Sequence, residues 1–259
     1  MKKRLPVQHA DEKEFASLFS TMTNRHNAWT VWTDFISTYA CLISCSVDPT
    51  PERMDARREE VKQCLAKYSE EEVKTMDQLG NLLVQMVQRD RNRDILGEMY
   101  MAMDFGSDFT GQFFTPWQVS AMMSKMTLGE DFSERGFISI CDPACGAGAM
   151  LLSAPMEYES RNINYQEKAL FVGQDIDPIV AKMAYIQLSL YGCAGYIVIG
   201  NSLTEPVTGM DLFPHVSRPE SIWYTPQFFA PVWTVRREVE KVRLALKQVE
   251  TLGEEKEVC

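Results

Sequence analysis

The sequence predicts an α/β protein in which an all-helical domain precedes a parallel sheet covered by helices. Residues 10–104 show the spacing of apolar residues that is typical of helices. From about residue 111, short apolar strands alternate with helices, and this β-α-β-α-β order favours a parallel sheet with ligands at the carboxyl ends of its strands. We therefore expect a helical domain over residues 1–104, an α/β core over residues 105–230 and a C-terminal helix over residues 231–259.

The helical domain begins with an apolar stripe at helical spacing, and its later helices carry start signals. Residues 27–44 are more apolar and predict the central helix of a small bundle. Pro51 suits the first turn of the next helix, and Ser69 with Glu72 matches a capping box for a helix that ends near residue 88. A polar break over residues 89–94 precedes a further short helix. The stripe consists of Phe15, Leu18, Phe19 and Met22.

Three apolar runs predict the parallel strands of the core. They cover residues 137–141, 167–173 and 195–200. Residues 178–192 predict the helix between the second and third strands, with Asp177 as its N-cap and Pro178 at its first position. Residues 221–225 are a candidate for a fourth strand.

The last predicted helix carries apolar residues in a heptad pattern. Their 3-4-3-4-3 spacing is that of a coiled-coil seam, although the seam is too short for a free-standing coiled coil. We expect this seam to pack on the N-terminal bundle or on a partner, as in a helix-mediated oligomer. The heptad seam consists of Val232, Val235, Val239, Val242, Leu246 and Val249.

The composition argues against a protein that binds DNA unaided. The formal net charge of the 259 residues is −10, whereas a self-sufficient DNA binder usually has a basic surplus that neutralises phosphates. No apolar run has the length of a membrane span, and the basic N-terminus lacks the apolar stretch of a secretory signal. Seven scattered cysteines fit reduced thiols in a cytoplasmic protein. Cys41 and Cys45 are interpreted as packed core thiols rather than metal ligands.

A glycine loop over residues 141–150 follows the first predicted strand and opens a helix. Gly146 and Gly148 allow a tight turn and a close approach of the backbone to a ligand. Asp142 suits a cationic or hydroxyl-bearing ligand, and Asp175 at the end of the second strand is placed to accept ribose hydroxyls. A nucleoside with a positive sulfonium, S-adenosylmethionine, satisfies both features. The alternative is a purely structural strand-turn-helix with surface acids.

Four motifs occur in an order that resembles a known family. Together with the short helix over residues 94–103, they resemble the motifs of adenine-N6 DNA methyltransferases, above all the modification subunit of type I restriction-modification systems. The resemblance covers roughly residues 94 to 205 and implies a Rossmann-like S-adenosylmethionine-dependent methyltransferase core, here with an incomplete sheet and truncated after the catalytic-motif position. The four motifs are residues 111–123, 142–150, 173–178 and 200–203.

The resemblance implies roles for the matching residues. Phe114, Thr115 and Pro116 would close over the methionine end of the cofactor, Asp175 would bind the ribose, and Asn201 would contact the adenine amine. Asn201 stands where the family usually has aspartate, and its amide oxygen can accept the same hydrogen bond. The amino-acid part of the cofactor would be held by Asp142, Pro143, Ala144, Cys145, Gly146 and Gly148.

The family's catalytic motif, Asn-Pro-Pro-Tyr or a close variant, has a degenerate counterpart here. At the expected distance the chain offers Thr225, Pro226, Gln227 and Phe228. In the family, the asparagine oxygen and a proline carbonyl accept the N6 hydrogens of a flipped adenine, and the aromatic residue stacks on the base. Thr225 can accept a hydrogen bond but is shorter than asparagine, so loss of one preorganised acceptor would cost about 10²–10³ in rate.

Three functions follow from these observations. The first is a methyltransferase acting on adenine N6 in double-stranded DNA, with specificity and the missing strands supplied by a separate specificity or completing subunit. The second is a catalytically silent S-adenosylmethionine-binding subunit or regulator that needs a partner. The third and weaker reading is methylation of RNA or of a protein amide.

Overall fold

The computed structural model describes residues 9–103 and 114–257, with side chains up to residue 246. Its first part is helical, as the sequence predicts. Phe15, Phe19 and Met22 of the apolar stripe are buried in the first helix. The helices are α1 (Ala10–Thr23), α2 (Ala28–Val47), α3 (Pro51–Leu65), α4 (Glu70–Arg89) and α5 (Ile95–Ala102).

The predicted helix starts are formed by the residues that signal them. The Glu72 N–H donates to Ser69 Oγ at 3.3 Å, and the Ser69 N–H donates to Glu72 Oε2 at 2.8 Å, so the capping box at the start of α4 is complete. Pro51 occupies the first turn of α3. These local signals therefore set the helix boundaries directly.

The second part of the chain contains a parallel sheet with helices between its strands. β1 pairs with β2, and β2 pairs with β3, so that Asp142 lies opposite Gly173 and Asp175 lies opposite Ile199. The predicted α/β fold class is confirmed, and the three strands begin and end within two residues of their predicted bounds. The elements are α6 (Trp117–Thr127), β1 (Ile138–Asp142), α7 (Ala149–Ser160), α8 (Tyr165–Lys168), β2 (Ala169–Asp175), α9 (Pro178–Leu190) and β3 (Ala194–Ile199).

The fourth strand of this sheet runs against the other three. A two-stranded hairpin follows β3, formed by β4 (Thr208–Met210) and β5 (Phe213–His215), and β6 (Ile222–Tyr224) then pairs antiparallel with β3. The predicted parallel sheet thus comprises β1, β2 and β3, and the fourth strand, for which no direction is predicted, makes the sheet mixed. Between β3 and β6 the chain forms the hairpin and a short 3-10 helix but no crossover helix, so β6 starts beside the carboxyl end of β3 and runs antiparallel to it.

The sheet order is β1-β2-β3-β6, which leaves β1 at one edge. The run β3-β2-β1 is one half of the doubly wound order 3-2-1-4-5-6, and ligands bind such sheets where the order reverses, beside the carboxyl end of the first strand. Within residues 9–103 and 114–257, no strand pairs with the outer edge of β1. The glycine loop that follows β1 therefore lies at this position.

Two hydrophobic clusters cover the two faces of the sheet. The larger cluster is continuous from Phe15 and Phe35 in the helical part to Leu152 and Met183 in α7 and α9. The smaller cluster lies on the other face, where Trp233 packs beneath the strands. The predicted boundary at residue 104 lies outside the described residues, and the helices before it share one core with the sheet.

The helical part covers the β6 edge of the sheet through a buried arginine. Arg57 is paired with Asp48 at 2.8 Å, donates to the Ile222 carbonyl at 2.6 Å and lies 4.2 Å from the centre of the Trp223 ring. The Lys182 ammonium on α9 lies 5.3 Å from the centre of the same ring. The helical part thus covers the β6 edge of the sheet, which is the edge opposite β1.

The last helix, α10 (Pro231–Glu257), packs by its first turns and then exposes its heptad seam. Trp233 Nε1 donates to the Gln166 carbonyl at 2.7 Å, and Arg236 donates to the Gly136 carbonyl at 3.1 Å. The expectation that the seam packs on the N-terminal bundle is wrong within the described side chains. Val232 is half-buried, and the side chain of Val249 lies outside those described. The other four residues of the seam are about 60% exposed: Val235, Val239, Val242 and Leu246.

In the part of the chain that the structure describes, no helix combines the length and the apolar character that a bilayer span requires.

Candidate cofactor site

The glycine loop turns sharply because two of its glycines adopt left-handed backbone angles. Gly146 has φ +52° and Gly148 has φ +95°, a region that side chains other than glycine rarely adopt. A Cβ atom at Gly146 would lie 3.3 Å from the Phe114 ring, and one at Gly148 would lie 3.1 Å from Ala184. The two glycines therefore let the loop turn while it stays in contact with α9 and with the residues before α6.

Hydrogen bonds tie the loop to the end of β2. The Gly146 N–H donates to Asp175 Oδ2 at 2.8 Å, and the Cys145 N–H donates to the Gln174 carbonyl at 3.0 Å. The Asp177 N–H donates to Asp175 Oδ1 at 2.9 Å. Because each carboxylate oxygen has two acceptor sites, Asp175 braces the loop and still keeps capacity for a ligand hydroxyl.

Asp142, at the end of β1, lies where three neighbouring cavities meet. It lines cavities of about 330, 70 and 420 Å³. Burial raises the pKa of Asp142 against the hydrogen bond from the Ala144 N–H, and the negative charge of Asp175 raises this pKa further. The two carboxylates therefore repel each other mildly, which a positively charged ligand between them would relieve.

The segment before α6 lies over the glycine loop. The Phe114 ring touches the Gly146 position and lies 5.2 Å from the Tyr100 ring of α5. Thr115 lines the 70 and 420 Å³ cavities, and Pro116 is the N-cap of α6. The structure thus brings Phe114 and Thr115 to the loop, with Pro116 starting the helix behind them.

Asn201 follows β3 and lies beside the end of β2. The Gly200 N–H donates to the Asp175 carbonyl at 2.8 Å, which places Asn201 one residue from this contact. Asn201 Oδ1 accepts the Leu203 N–H at 2.9 Å, so one of its lone pairs closes a local turn. Its second lone pair is available to a further hydrogen-bond donor.

The 330 Å³ cavity lies between the sheet and the β4–β5 hairpin. Asp211 anchors the hairpin through two hydrogen bonds from Arg135, at 2.7 and 2.8 Å, and one from Ser139. Burial alone would raise the pKa of Asp211, but the hydrogen bonds from Arg135 and Ser139 hold it below its usual value. The lining of the 330 Å³ cavity is apolar near Val172 and Tyr196 and includes Asp142 at the glycine loop.

The four residues predicted to be catalytic lie at the other end of the sheet. Thr225 is fully buried, its hydroxyl donates to the Cys193 carbonyl at 2.7 Å, and its Oγ1 accepts the Gly195 N–H at 3.0 Å. Pro226 and Gln227 begin a short 3-10 helix, and the Phe228 ring stacks on Tyr224 at 4.7 Å.

The pairing of β6 with β3 explains this placement. Thr225 is level with Gly195 at the amino end of β3, whereas Ile199 at the carboxyl end pairs with Asp175. Strand geometry then separates Thr225 from Asp175 by roughly 13 Å along the strands and roughly 10 Å across them. The structure does not bring Thr225, Pro226, Gln227 and Phe228 to the glycine loop.

Asp94 and Gln187 also lie at this site, although the sequence alone did not predict them there. Asp94 caps α5 by accepting the Gly97 N–H at 2.9 Å, and it lines the 70 Å³ cavity. Gln187 Nε2 donates to Asp94 at 2.8 Å and to the Ala147 carbonyl at 3.0 Å. An aspartate three residues before a glycine at a helix start was the available signal.

The charge of the site selects among possible ligands. Asp94, Asp142 and Asp175 surround the loop, and no Lys, Arg or His is among the described residues that line the three cavities. Such a site suits a cationic ligand with hydroxyl groups and disfavours a polyphosphate. The fold and the site thus define an α/β protein with a glycine loop and a carboxylate cluster at the carboxyl edge of its sheet.

Comparison with known families identifies the chain further. Residues 91–249 match the family described as N-6 DNA methylase. The chain belongs to this family, and the resemblance seen in its motifs is confirmed.

Two curated relatives come from Methanocaldococcus jannaschii. The methylase subunit of the type I restriction enzyme MjaIX is 30% identical over 119 residues, which cover 43% of this chain and 20% of the relative. The methylase subunit of the type I restriction enzyme MjaVII is 32% identical over 99 residues, which cover 37% of this chain and 16% of the relative. The matched stretch thus spans about a fifth of these relatives.

Two solved structures are similar at a lower level. One is a putative class I S-adenosylmethionine-dependent methyltransferase from Listeria monocytogenes, with a TM-score of 0.45 and 13% identity over 77% of this chain and 57% of that one. The other is a type I restriction-modification methyltransferase subunit from Streptococcus thermophilus, with a TM-score of 0.38 and 16% identity. This likeness covers 79% of this chain and 46% of that one. The fold assignment therefore rests on the strand order of this chain and on the family match.

Proposed function

We propose that this chain is the cofactor-binding part of an S-adenosylmethionine-dependent DNA methyltransferase that acts on adenine N6. The observation that carries the proposal is the carboxylate cluster around a glycine loop at the carboxyl edge of the sheet. When bound, S-adenosylmethionine supplies a methyl group made electrophilic by the sulfonium. The described residues fit it because Asp175 has capacity for the ribose hydroxyls, and Phe114 covers the loop.

The remaining predicted cofactor residues take supporting roles in this proposal. Pro143, Ala144 and Cys145 form the turn, and Gly146 and Gly148 let it lie close to the ligand. The loop would hold the amino-acid part of the cofactor together with Thr115, while Asn201 would accept a hydrogen bond from the adenine amine. Pro116 would act indirectly by starting α6 beside the loop.

Transfer to adenine N6 also requires groups that hold a flipped base beside the methyl group. The base must leave the duplex, and acceptors must localise the amine lone pair towards the carbon it attacks. Because Thr225 lies at the far end of β3, we propose that these groups come from a separate completing subunit or another segment. The position next to β1 suits this, since a doubly wound sheet continues there.

Double-stranded DNA is the proposed substrate, and a partner surface would hold it. The net charge of −10 makes unaided DNA binding unfavourable. The exposed heptad seam offers a site for a partner helix or a second copy, because four residues of the seam are about 60% exposed. This supports an assembly through α10.

A second candidate function is a silent S-adenosylmethionine-binding subunit or regulator. The burial of Thr225 favours it, because both hydrogen-bonding functions of its hydroxyl serve the sheet itself. Both candidates require cofactor binding, so they separate on turnover.

The test combines titration calorimetry of S-adenosylmethionine with transfer of labelled methyl groups to mixed-sequence double-stranded DNA, with and without a co-expressed type I partner subunit. We expect micromolar cofactor binding by the chain alone and transfer with the partner. Binding without transfer in either condition would favour the silent subunit. Absence of binding would refute both candidates.

A further inference from the structure

One carboxylate oxygen beside the glycine loop has no hydrogen-bond partner among the residues that the structure describes. Asp94 is only 5% exposed, and its Oδ1 accepts both hydrogen bonds made to the side chain, from the Gly97 N–H at 2.9 Å and from Gln187 Nε2 at 2.8 Å. Among residues 9–103 and 114–246, no donor reaches Oδ2. Because Asp94 lines the cavity beside the loop, a ligand there can supply the donor that this oxygen lacks.

The cavity that Asp94 lines is the one enclosed by the glycine loop. Its volume is about 70 Å³, and its other walls include Phe114, Thr115, Asp142 and Gly146. Since a single water needs only about 10–15 Å³ on this measure, the cavity holds a small polar group but not a nucleoside. Its negative walls favour a group that carries positive charge.

The surroundings of Asp94 hold the carboxylate in place. Gln187 Oε1 accepts the Leu96 N–H at 3.1 Å, and its Nε2 bridges Asp94 to the Ala147 carbonyl in the loop. A Cβ atom at Gly97 would lie 2.0 Å from Asp94 Oδ2, so only glycine leaves room for this oxygen. The side chain is thus fixed relative to the loop before any ligand arrives, which reduces the ordering cost of binding.

We propose that Asp94 Oδ2 binds the α-ammonium group of the amino-acid part of S-adenosylmethionine. This inference rests on the proposed function and names a further binding residue for the same site. An ammonium has three donors and a full positive charge, so one charge-assisted hydrogen bond would satisfy Oδ2 and offset the charge of Asp94. With the ammonium at Asp94 and the ribose at Asp175, the cofactor would extend along the glycine loop between α5 and the end of β2.

The experiment measures the affinity of the full chain for two ligands that differ at the amino-acid end. S-Adenosylhomocysteine carries the ammonium, and 5′-methylthioadenosine lacks the whole amino-acid part. The variant Asp94→Asn keeps an oxygen for the Gly97 and Gln187 hydrogen bonds and removes the charge. The matched control is Glu98→Gln, a carboxylate on the same helix that pairs with Arg93 instead.

We expect Asp94→Asn to weaken S-adenosylhomocysteine binding by about 10- to 100-fold, the range for a hydrogen bond between charged groups. Binding of 5′-methylthioadenosine should stay within about 2-fold, and Glu98→Gln should change neither affinity. A comparison that needs no variant uses the analogue of S-adenosylhomocysteine that lacks only the α-amino group. It should bind the wild-type chain as weakly as S-adenosylhomocysteine binds Asp94→Asn.

Other results would overturn the inference in distinguishable ways. Equal weakening of both ligands by Asp94→Asn would show a structural role only, and unchanged binding of S-adenosylhomocysteine would place its ammonium elsewhere. Equal affinity of the wild-type chain for S-adenosylhomocysteine and its deaminated analogue would refute the inference without any variant. A wild-type chain that binds none of these ligands would refute the proposed function itself.

Discussion

The variant Asp94→Asn should stabilise the ligand-free protein at neutral pH. Burial raises the pKa of Asp94 from 3.8 to about 6, against the hydrogen bonds from Gln187 and Gly97. A raised pKa in the folded state means that the neutral acid is preferred there. The contribution of this group to stability is therefore fully present below pH 4 and is lost as the pH rises through about 6.

The magnitude follows from the size of the shift. A shift of one pKa unit corresponds to 1.36 kcal/mol, so a change from 3.8 to about 6 corresponds to about 3 kcal/mol between pH 4 and pH 8. Asparagine does not titrate, and it keeps an acceptor oxygen for both hydrogen bonds. The free energy of unfolding of Asp94→Asn should thus exceed that of the wild-type chain by up to about 3 kcal/mol at pH 8 and equal it near pH 4.

The assay is urea unfolding of both proteins, without ligand, at steps between pH 4 and pH 8. The charged or titratable groups near Asp94 are Glu98 on α5, Tyr191 after α9 and Asp142 across the cavity. Glu98→Gln serves as the control and should not remove the difference. A variant less stable than wild type at pH 8, or a difference that does not shrink as the pH falls, would refute the reasoning. Higher stability combined with weaker cofactor binding would mark a residue kept for its ligand.

Three further predictions concern the rest of the chain. Thr225→Ala should lower the free energy of unfolding in urea by about 1–3 kcal/mol, because it leaves the buried Gly195 N–H and Cys193 carbonyl without the Thr225 hydroxyl. Thr225→Ser should restore stability, and neither variant should change cofactor affinity. A loss of cofactor affinity without a loss of stability would instead place Thr225 in the cofactor site. Arg57→Ala should cost about 3–5 kcal/mol because it leaves Asp48 buried with less compensation, and an unchanged unfolding midpoint would contradict this role at the β6 edge. Val239→Glu should reduce the mass of any assembly in sedimentation, whereas Lys241→Glu, two residues along the same helix, should not; a wild-type chain that sediments as a monomer would leave the seam to a different polypeptide.

Local features of the sequence predicted the elements and the meeting of the glycine loop with Asp175. The capping box at Ser69 and the Asp177-Pro178 start depend on residues within one turn, so their outcome does not depend on the rest of the fold. The glycine loop and Asp175 are likewise tied to the ends of consecutive strands. In a parallel sheet these ends lie on the same side, which makes their meeting predictable from strand order alone.

The tertiary structure decided where the later residues lie. Thr225 has the expected distance in sequence from β3, but sequence distance does not reveal whether the next strand returns parallel or antiparallel. An antiparallel return moved Thr225 from the carboxyl end of the sheet to the amino end. A motif with two of its four residues conserved in type was too weak to indicate this change of direction.

The sequence by itself determined the fold class, the order of the strands that carry the glycine loop, and the family, because each depends on patterns that are short or consecutive along the chain. Only the tertiary structure showed that α5 brings Asp94 to the loop through Gln187, residues 93 positions apart in the chain. It alone showed that no strand in the described part of the chain pairs with the outer edge of β1, and that Thr225 lies far from the loop. Contacts between distant segments depend on how all the elements pack together, and no local pattern of residues encodes them.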